Sequence, residues 1–196
     1  MGVVSRLRPI FSRVAGRTLL PLALRFSGDP NVYSVLGVVF AGASVAAVYL
    51  WNPLAAAVLV GASGFMDAVD GLVARATGRA SRAGEVLDAT LDRISDFLYH
   101  VALLYAGASA IVVIASLAGS LIAPYLRARG DAAGVRLAGV GVAERGERVL
   151  IVIGGLAAAW LAGPEAATVA TAVLAVLSWV TVGQRLYSLL TVLRRS

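Results

Sequence analysis

Long apolar stretches alternate with short polar breaks along most of this chain. Six hydrophobic segments lie at about residues 32–50, 53–75, 84–106, 108–126, 147–162 and 165–189. Each is close to the ~20 residues that an α-helix needs to cross a bilayer, and the fifth is short enough to borrow residues from its flanks. The pattern predicts an all-α, polytopic membrane protein with six transmembrane helices.

Residues 1–29 follow a different pattern. Five arginines are interleaved there with large apolar residues, so no long apolar core is left uninterrupted. This mixture is typical of an amphipathic helix that lies in the membrane interface, and not of a cleaved signal peptide. We therefore expect an N-terminal interfacial helix over 1–29, broken near Pro21, followed by a six-helix domain over 30–196.

Composition supports the membrane class. Of the 196 residues, 59% are hydrophobic and 14% are charged, whereas about one quarter of a typical soluble domain is charged. Cysteine is absent, which excludes disulfides and thiolate metal sites. All 17 basic residues are arginine, whose fork suits phosphate groups, although GC-rich coding explains the larger share of that bias. The net charge of +6 fits membrane lipids with anionic headgroups as partners, and we expect no nucleic-acid partner.

Arginines are distributed asymmetrically between the predicted loops. They occur in the N-terminal arm, in the loops over 75–84 and 127–148 and in the C-terminal tail, and they are absent from the three alternate loops. Cytoplasmic loops of membrane proteins carry the excess of basic residues. We therefore expect both termini on the cytoplasmic side of the cell membrane, together with the loop that joins the second and third spans.

Four aspartates interrupt the second and third segments: Asp67, Asp70, Asp88 and Asp92. Asp88 and Asp92 share one helix face with Gly84, because the three lie four residues apart. The short loop predicts that the two helices are antiparallel neighbours, so that the four carboxylates converge. Unpaired carboxylates repel one another, and oxygen ligands favour Mg²⁺, Mn²⁺ or Ca²⁺ over Zn²⁺. Since carboxylates inside a membrane are functional by default, the sequence predicts a metal site.

The spacing of these residues resembles a known signature. Residues 67–92 read Asp-x2-Asp-Gly-x2-Ala-Arg, then eight residues, then Gly-x3-Asp-x3-Asp. All eight fixed positions match the signature of the CDP-alcohol phosphotransferase family. The resemblance implies that an alcohol attacks the β-phosphorus of a CDP-linked lipid, that CMP is released, and that the protein is a homodimer.

The same resemblance implies roles for individual residues. The implied ligands of two Mg²⁺ or Mn²⁺ ions are Asp67, Asp70, Asp88 and Asp92. Asp92 is also the implied catalytic base for the attacking hydroxyl. The residues implied for CDP-lipid binding are Asp70, Gly71, Ala74, Arg75, Ser81 and Gly84.

Arginines near the ends of the last three spans favour an acceptor alcohol that carries its own phosphate. The segment over 125–129 and the acidic–arginine run over 144–148 resemble those of prokaryotic phosphatidylinositol-phosphate synthases and their archaeal counterparts. The implied acceptor-phosphate ligands are Arg127, Arg129, Arg148 and Arg185. Spacing alone does not separate Arg145 from Arg148 as a ligand. We predict inositol 1-phosphate as the acceptor, with the lipid left open between CDP-diacylglycerol and CDP-archaeol.

Three alternatives stay open on the sequence. The acceptor can instead be glycerol 3-phosphate, as for a phosphatidylglycerolphosphate synthase. A cation transporter would explain intramembrane carboxylates, but it would not explain Gly71, Ala74 and Arg75 at signature spacing. A non-catalytic membrane scaffold is the third alternative, and it would tolerate the loss of Asp92.

Two more polar residues of the third segment lie outside the signature. Asp96 continues the four-residue series, and we expect it to be structural and paired with Arg93. His100 is the only histidine of the chain, and we expect it to occupy a core or interfacial position instead of ligating a metal.

Overall fold

The described part of the chain is entirely helical. The computed structural model describes residues 19–50 and 52–194, and it contains no strand there. A first helix, α1, covers residues 19–26 of that part. The six helices that follow are α2 (Pro30–Tyr49), α3 (Pro53–Thr77), α4 (Arg82–Tyr105), α5 (Ala110–Ala132), α6 (Arg145–Ala162) and α7 (Pro164–Leu193). The all-α class predicted from hydrophobic patterning is confirmed for these residues.

Local side-chain caps determine where several helices begin. The side chains of Asp29, Asn52 and Ser81 each accept a backbone N–H from the helix that follows, at 3.0–3.1 Å. α3 ends at Gly78, whose φ of 67° lies in the left-handed region that glycine adopts without steric cost. The connection from α3 to α4 therefore needs only residues 78–81, and it keeps the aspartate-bearing ends of the two helices close.

Away from that connection, α3 and α4 do not pack side by side. α2 packs against both of them and α6 packs against α3, whereas direct contact between α3 and α4 is slight. The short loop predicts neighbouring helices whose aspartates converge; Asp67, Asp70 and Asp88 do converge, although α3 and α4 make little direct contact. α2 and α6 pack against α3 and α4 and leave a gap between them. The aspartates of α3 and α4 line this gap.

α1 is anchored to the domain through its C-terminal end. The Tyr33 hydroxyl donates hydrogen bonds to the carbonyl of Ala23 at 2.6 Å and to that of Ser27 at 3.2 Å. Ala23 is buried against residues of α2 and α3. Pro21 lies within the helical residues of α1. The preceding part of the predicted interfacial arm, residues 1–18, lies outside the described residues.

α5 is longer than its apolar stretch predicts. It continues through Arg127 and Arg129 to Ala132, so the prediction that a loop already begins at these arginines is wrong. Pro124 lies inside the helix, where it removes one backbone donor without ending the helix. Alanine and arginine favour continuation of a helix, although they add no apolar signal. The connection from α5 to α6 is therefore confined to residues 133–144.

Four helices of the described residues are long and apolar enough to cross a membrane, namely α2, α3, α5 and α7. α4 carries Asp88, Asp92 and Asp96 among its charged residues, and the short α6 has charged residues in its first turn. α3 carries Asp67 and Asp70 but has an apolar stretch long enough to be among the four. The protein is a multi-pass membrane protein, and the finer six-span topology stays a prediction.

Small residues allow the helices to approach closely around α6. A Cβ atom added at Gly155 would lie 2.9 Å from the Cβ of Ala170 in α7 and 3.2 Å from Leu103 Cδ2 in α4. A Cβ atom added at the adjacent Gly154 would meet nothing within 4 Å. Substitutions at Gly155 and Gly154 can therefore be compared: both change the helix propensity, but only the one at Gly155 disturbs helix packing.

We expect Gly155→Ala to destabilise the protein, because a Cβ that collides with Ala170 must push α6 away from α7. Overpacking of this kind costs about 1–3 kcal/mol. Thermal unfolding of the purified protein in detergent measures the effect. Gly154→Ala is the matched control, and it should be neutral or slightly stabilising, since alanine favours a helix more than glycine. Equal melting temperatures for the two variants would contradict the close packing at Gly155.

Candidate active site

Three carboxylates converge in the gap between α3 and α4. Asp67, Asp70 and Asp88 each offer one oxygen, and the three oxygens lie within 4.8 Å of one another. α3 supplies the first two of these aspartates, three residues apart, and the start of α4 supplies the third. A set of carboxylate oxygens with no nitrogen or sulfur suits a hard divalent cation such as Mg²⁺ or Mn²⁺. The donor chemistry of the cluster therefore fits the metal that the sequence predicts.

α2 holds one of these carboxylates in place. The Ser34 hydroxyl donates a hydrogen bond of 2.6 Å to Oδ2 of Asp70, whose side chain is buried. Further along the same two helices, the Ser63 hydroxyl donates to the Gly37 carbonyl at 2.6 Å and accepts from the Tyr99 hydroxyl at 2.7 Å. These bonds join α2, α3 and α4 around the cavity that the aspartates line.

Asp92 lies outside the three-carboxylate group and is paired with arginines. Its Oδ1 lies 2.9 Å from Nη2 of Arg145, and its Oδ2 lies 3.4 Å from Nη2 of Arg93. The Arg145 guanidinium also forms an ion pair with Asp67. The Arg145 guanidinium, in the first turn of α6, therefore links the three-carboxylate cluster to Asp92, the base that the family resemblance implies.

The small residues of the signature lie at the ends of α3 and α4 nearest their short connection. A Cβ atom added at Gly71 would lie 3.3 Å from Nη1 of Arg75, so this exposed arginine folds back over the glycine. Ala74 lies on the same end of α3. Ser81 caps α4, and its hydroxyl oxygen accepts the backbone N–H of Gly84 at 3.1 Å. The predicted CDP-lipid residues thus flank the aspartates on one side.

The predicted acceptor arginines divide into two exposed and two buried side chains. Arg127 and Arg129 are exposed on the last turns of α5. Arg148 and Arg185 are 5% and 4% exposed. The Arg185 guanidinium donates to the Val140 carbonyl at 2.9 Å and to the Ala123 carbonyl at 2.6 Å. It therefore ties the connection between α5 and α6 to α5 and α7.

Asp96 and His100 extend the polar side of α4 into the interior. Asp96 is paired with Arg93, as expected, and in addition with two arginines of α6. The two ring nitrogens of His100 lie 2.7 Å from the Asp96 carbonyl and 2.9 Å from the Ser116 hydroxyl. His100 is buried, which agrees with the core position predicted for it.

Two contributors to the site were missed by reasoning from the sequence. Ser34 lies 36 positions before its partner Asp70, in a segment that reads only as an apolar span. Sequence spacing offers Arg145 only as an alternative to Arg148, and it does not predict that Arg145 pairs with Asp67 and Asp92. Its position in an acidic–arginine run was a signal, but sequence spacing does not say which carboxylate each arginine faces.

Comparison with known proteins agrees with this geometry. Residues 29–192 match the family described as CDP-alcohol phosphatidyltransferase. The archaetidylinositol phosphate synthase of Aeropyrum pernix is 44% identical over 195 residues, covering 100% of both chains. That of Pyrococcus horikoshii is 33% identical over 192 residues, covering 94% of this chain and 95% of its own length.

Solved structures show the same similarity in three dimensions. The phosphatidylinositol phosphate synthase of Mycobacterium tuberculosis with CDP-DAG bound has a TM-score of 0.78 at 34% identity, covering 88% of this chain and 94% of that one. The same enzyme in complex with manganese and citrate has a TM-score of 0.76 at 33% identity, with coverages of 92% and 89%. The chain therefore belongs to the CDP-alcohol phosphatidyltransferase family that its signature predicts.

Proposed function

We propose that the protein transfers a phosphatidyl-type group from a CDP-lipid to inositol 1-phosphate and releases CMP. The observation that carries this proposal is the convergence of Asp67, Asp70 and Asp88 in a cavity that Asp92 and Arg145 also line. Family membership supports the reaction, and relatives named as archaetidylinositol or phosphatidylinositol phosphate synthases, matched over most of their length, support the acceptor. The enzyme class is CDP-alcohol phosphatidyltransferase.

The cofactor is a divalent cation, Mg²⁺ or Mn²⁺. Asp67, Asp70 and Asp88 would hold it, and Asp92 would join them for a second ion. Ser34 supports the cluster, since its hydrogen bond orients the Asp70 carboxylate. Bound divalent cations would neutralise the pyrophosphate of the CDP-lipid and the charge on the departing CMP. The manganese complex of the similar mycobacterial enzyme supports the choice of metal.

Asp92 is the residue that we propose as general base. It would accept the proton of the attacking hydroxyl while the new bond forms between that oxygen and the β-phosphorus. The bond from the β-phosphorus to the bridging oxygen then breaks, and that oxygen leaves with CMP. Arg145, which contacts Asp92 at 2.9 Å, would keep its carboxylate oriented towards the gap.

The CDP moiety is proposed to lie against the signature ends of α3 and α4. Gly71 and Ala74 leave space beside the aspartates, so that the nucleotide approaches the helix backbone closely. Arg75, folded over Gly71, is free of carboxylate partners among the described residues and would neutralise a phosphate. Ser81 and Gly84 would border the same pocket at the start of α4.

The acceptor phosphate is proposed to bind the four arginines that the resemblance implies, Arg127, Arg129, Arg148 and Arg185. Arg148 and Arg185 are buried, and burial in a low-dielectric setting strengthens their attraction for a dianion. Arg127 and Arg129, exposed at the end of α5, would complete the site at its entrance. The pairing of Arg145 with Asp67 and Asp92 favours Arg148 over Arg145 as the acceptor ligand.

The lipid is proposed to be archaeol-based. This proposal rests on the similarity to the Aeropyrum pernix protein, at 44% identity over the full length of both chains. The mycobacterial structure with CDP-DAG bound supports diacylglycerol as the second candidate. The two lipids share the cytidine diphosphate head, so the same protein groups would bind either one.

We propose that all six helices α2–α7 span the cell membrane, with both termini and the active site facing the cytoplasm. The asymmetric distribution of arginines supports this orientation. Charged residues of α4 and α6 would then face the active-site gap and not the lipid. The N-terminal segment over 1–29 would lie in the interface, residues 30–196 would form the six-helix domain, and two copies would assemble as a homodimer.

An acceptor panel tests the proposed function. Purified protein in detergent with CDP-archaeol or CDP-diacylglycerol should release CMP with inositol 1-phosphate as acceptor. Release should require Mg²⁺ or Mn²⁺ and stop when a chelator removes the metal. Asp92→Asn should lose turnover about 10²–10⁴-fold, because an amide cannot accept the hydroxyl proton. Asp131→Asn, an exposed acid outside the site, is the control and should retain activity.

The panel also separates the alternatives. Turnover with glycerol 3-phosphate but not with inositol 1-phosphate would contradict the proposed acceptor and leave the enzyme class intact. If no CMP is released with any phosphorylated or free alcohol, the enzyme proposal fails, and metal uptake into proteoliposomes would then identify a transporter.

We expect Arg127→Gln to weaken use of the acceptor and not use of the lipid. Loss of one charge-assisted hydrogen bond to phosphate, worth about 1.5 kcal/mol, should raise KM for inositol 1-phosphate about tenfold. KM for the CDP-lipid should change little. Arg136→Gln removes another exposed arginine, in the connection between α5 and α6, and serves as the control. Equal effects of the two variants would indicate a general charge effect instead of an Arg127–phosphate contact.

A further inference from the structure

Asp96 is a buried carboxylate at the point where three arginines meet. It is 3% exposed and lies one helical turn beyond Asp92, outside the family signature. Its Oδ2 lies 3.8 Å from Nε of Arg93 and 3.4 Å from Nη2 of Arg148, and its Oδ1 lies 3.9 Å from Nε of Arg145. One negative charge is thus shared among three positive ones.

The three arginines depend on Asp96 to different degrees. Arg145 has two further carboxylate partners, Asp67 and Asp92, and Arg93 has one, Asp92. Within the described part of the chain, Asp96 is the one carboxylate within ion-pair distance of Arg148. Removal of the Asp96 charge would therefore affect Arg148 first.

Arg148 depends strongly on the Asp96 charge because its guanidinium is buried. Arg148 is 5% exposed, and a buried guanidinium without a counter-charge is unfavourable because it loses its hydration. Its Nε makes no hydrogen bond in the described structure, and its contact with Asp96 is long at 3.4 Å. The carboxylate thus stabilises the buried charge and leaves hydrogen-bond donors of Arg148 available to an anion.

We propose that Asp96 is a positioning residue for the acceptor phosphate, because it holds the buried Arg148 in the orientation that binds this phosphate. The inference rests on the proposed transfer to a phosphorylated alcohol. It assigns to Asp96 a part in acceptor recognition, beyond the structural pairing with Arg93 that the sequence suggests.

The direction in which acceptor affinity changes when Asp96 is replaced distinguishes a positioning role from a purely electrostatic one. If Asp96 acted only through its charge, its removal would make the site more positive and would bind a phosphate more tightly. If it positions Arg148, its removal lets the guanidinium turn away, and the acceptor binds more weakly. The second effect should dominate, since Arg148 has no other carboxylate within reach among the described residues.

Steady-state kinetics of Asp96→Asn tests the proposal. KM for inositol 1-phosphate should rise about tenfold or more, as for loss of a group that orients a ligand, while KM for the CDP-lipid should stay within about twofold of wild type. The same substitution in an Arg148→Gln background should add little further change, because the group that Asp96 positions is already gone. An unchanged or lower KM for inositol 1-phosphate, or fully additive effects, would overturn the proposal.

A matched control accounts for loss of stability. His100→Gln disturbs a buried polar group one turn further along α4, bonded to the Asp96 carbonyl and the Ser116 hydroxyl. It should lower the melting temperature without changing the ratio of the two KM values. If it shifts that ratio as Asp96→Asn does, the proposal fails. If Asp96→Asn does not fold, Asp96→Glu, which keeps the charge but displaces the oxygens, must show the same selective rise in KM.

The wild-type acceptor panel keeps this inference separate from the proposed function. Should the wild type use glycerol 3-phosphate instead, the proposed acceptor is wrong, and the KM comparison is made with glycerol 3-phosphate. Should it use only alcohols without a phosphate, both proposals are overturned. A normal wild-type panel with unchanged acceptor KM in Asp96→Asn overturns the Asp96 proposal alone.

Discussion

Carboxylates from α3 and α4 face one another inside an apolar helix bundle, and their repulsion constrains the surrounding structure. Two like charges about 5 Å apart cost about 3 kcal/mol at an effective dielectric constant of ~20. Such a cluster persists because cations balance it. Arg145 supplies one positive charge from α6 to Asp67 and Asp92, and a divalent cation suits the all-oxygen group of Asp67, Asp70 and Asp88.

The fold accommodates this cluster by keeping α3 and α4 apart. α2 and α6 pack against both helices, and the Ser34 hydroxyl of α2 donates a hydrogen bond to the buried Asp70 of the cluster. Further along α4, Asp96 forms ion pairs with Arg145 and Arg148 of α6. Negative and positive side chains therefore alternate between the aspartate cluster and the proposed phosphate site. Charged residues of α3, α4 and α6 thus form one connected polar cluster.

Much of this arrangement follows from local patterns in the sequence. Apolar length predicts the helices, and helical spacing with the short loop predicts that four aspartates converge. Three of them do so within 4.8 Å, whereas Asp92 is paired with arginines. Contacts between distant segments escape such reasoning: Ser34 with Asp70, and Arg145 with two aspartates, depend on how helices pack. The extension of α5 past Leu126 is not predicted for another reason, since polar helix formers leave no hydrophobic signal.

A Mn²⁺ titration of the purified protein tests most directly whether the aspartate cluster binds a divalent cation. Free Mn²⁺ followed by electron paramagnetic resonance reports binding without any need for turnover. Wild-type protein should bind Mn²⁺ saturably, and Asp70→Asn should weaken binding by at least about tenfold, whereas the exposed Asp131→Asn should not. Equal Mn²⁺ affinity of all three proteins, or no saturable binding by the wild type, would contradict a metal site at these aspartates.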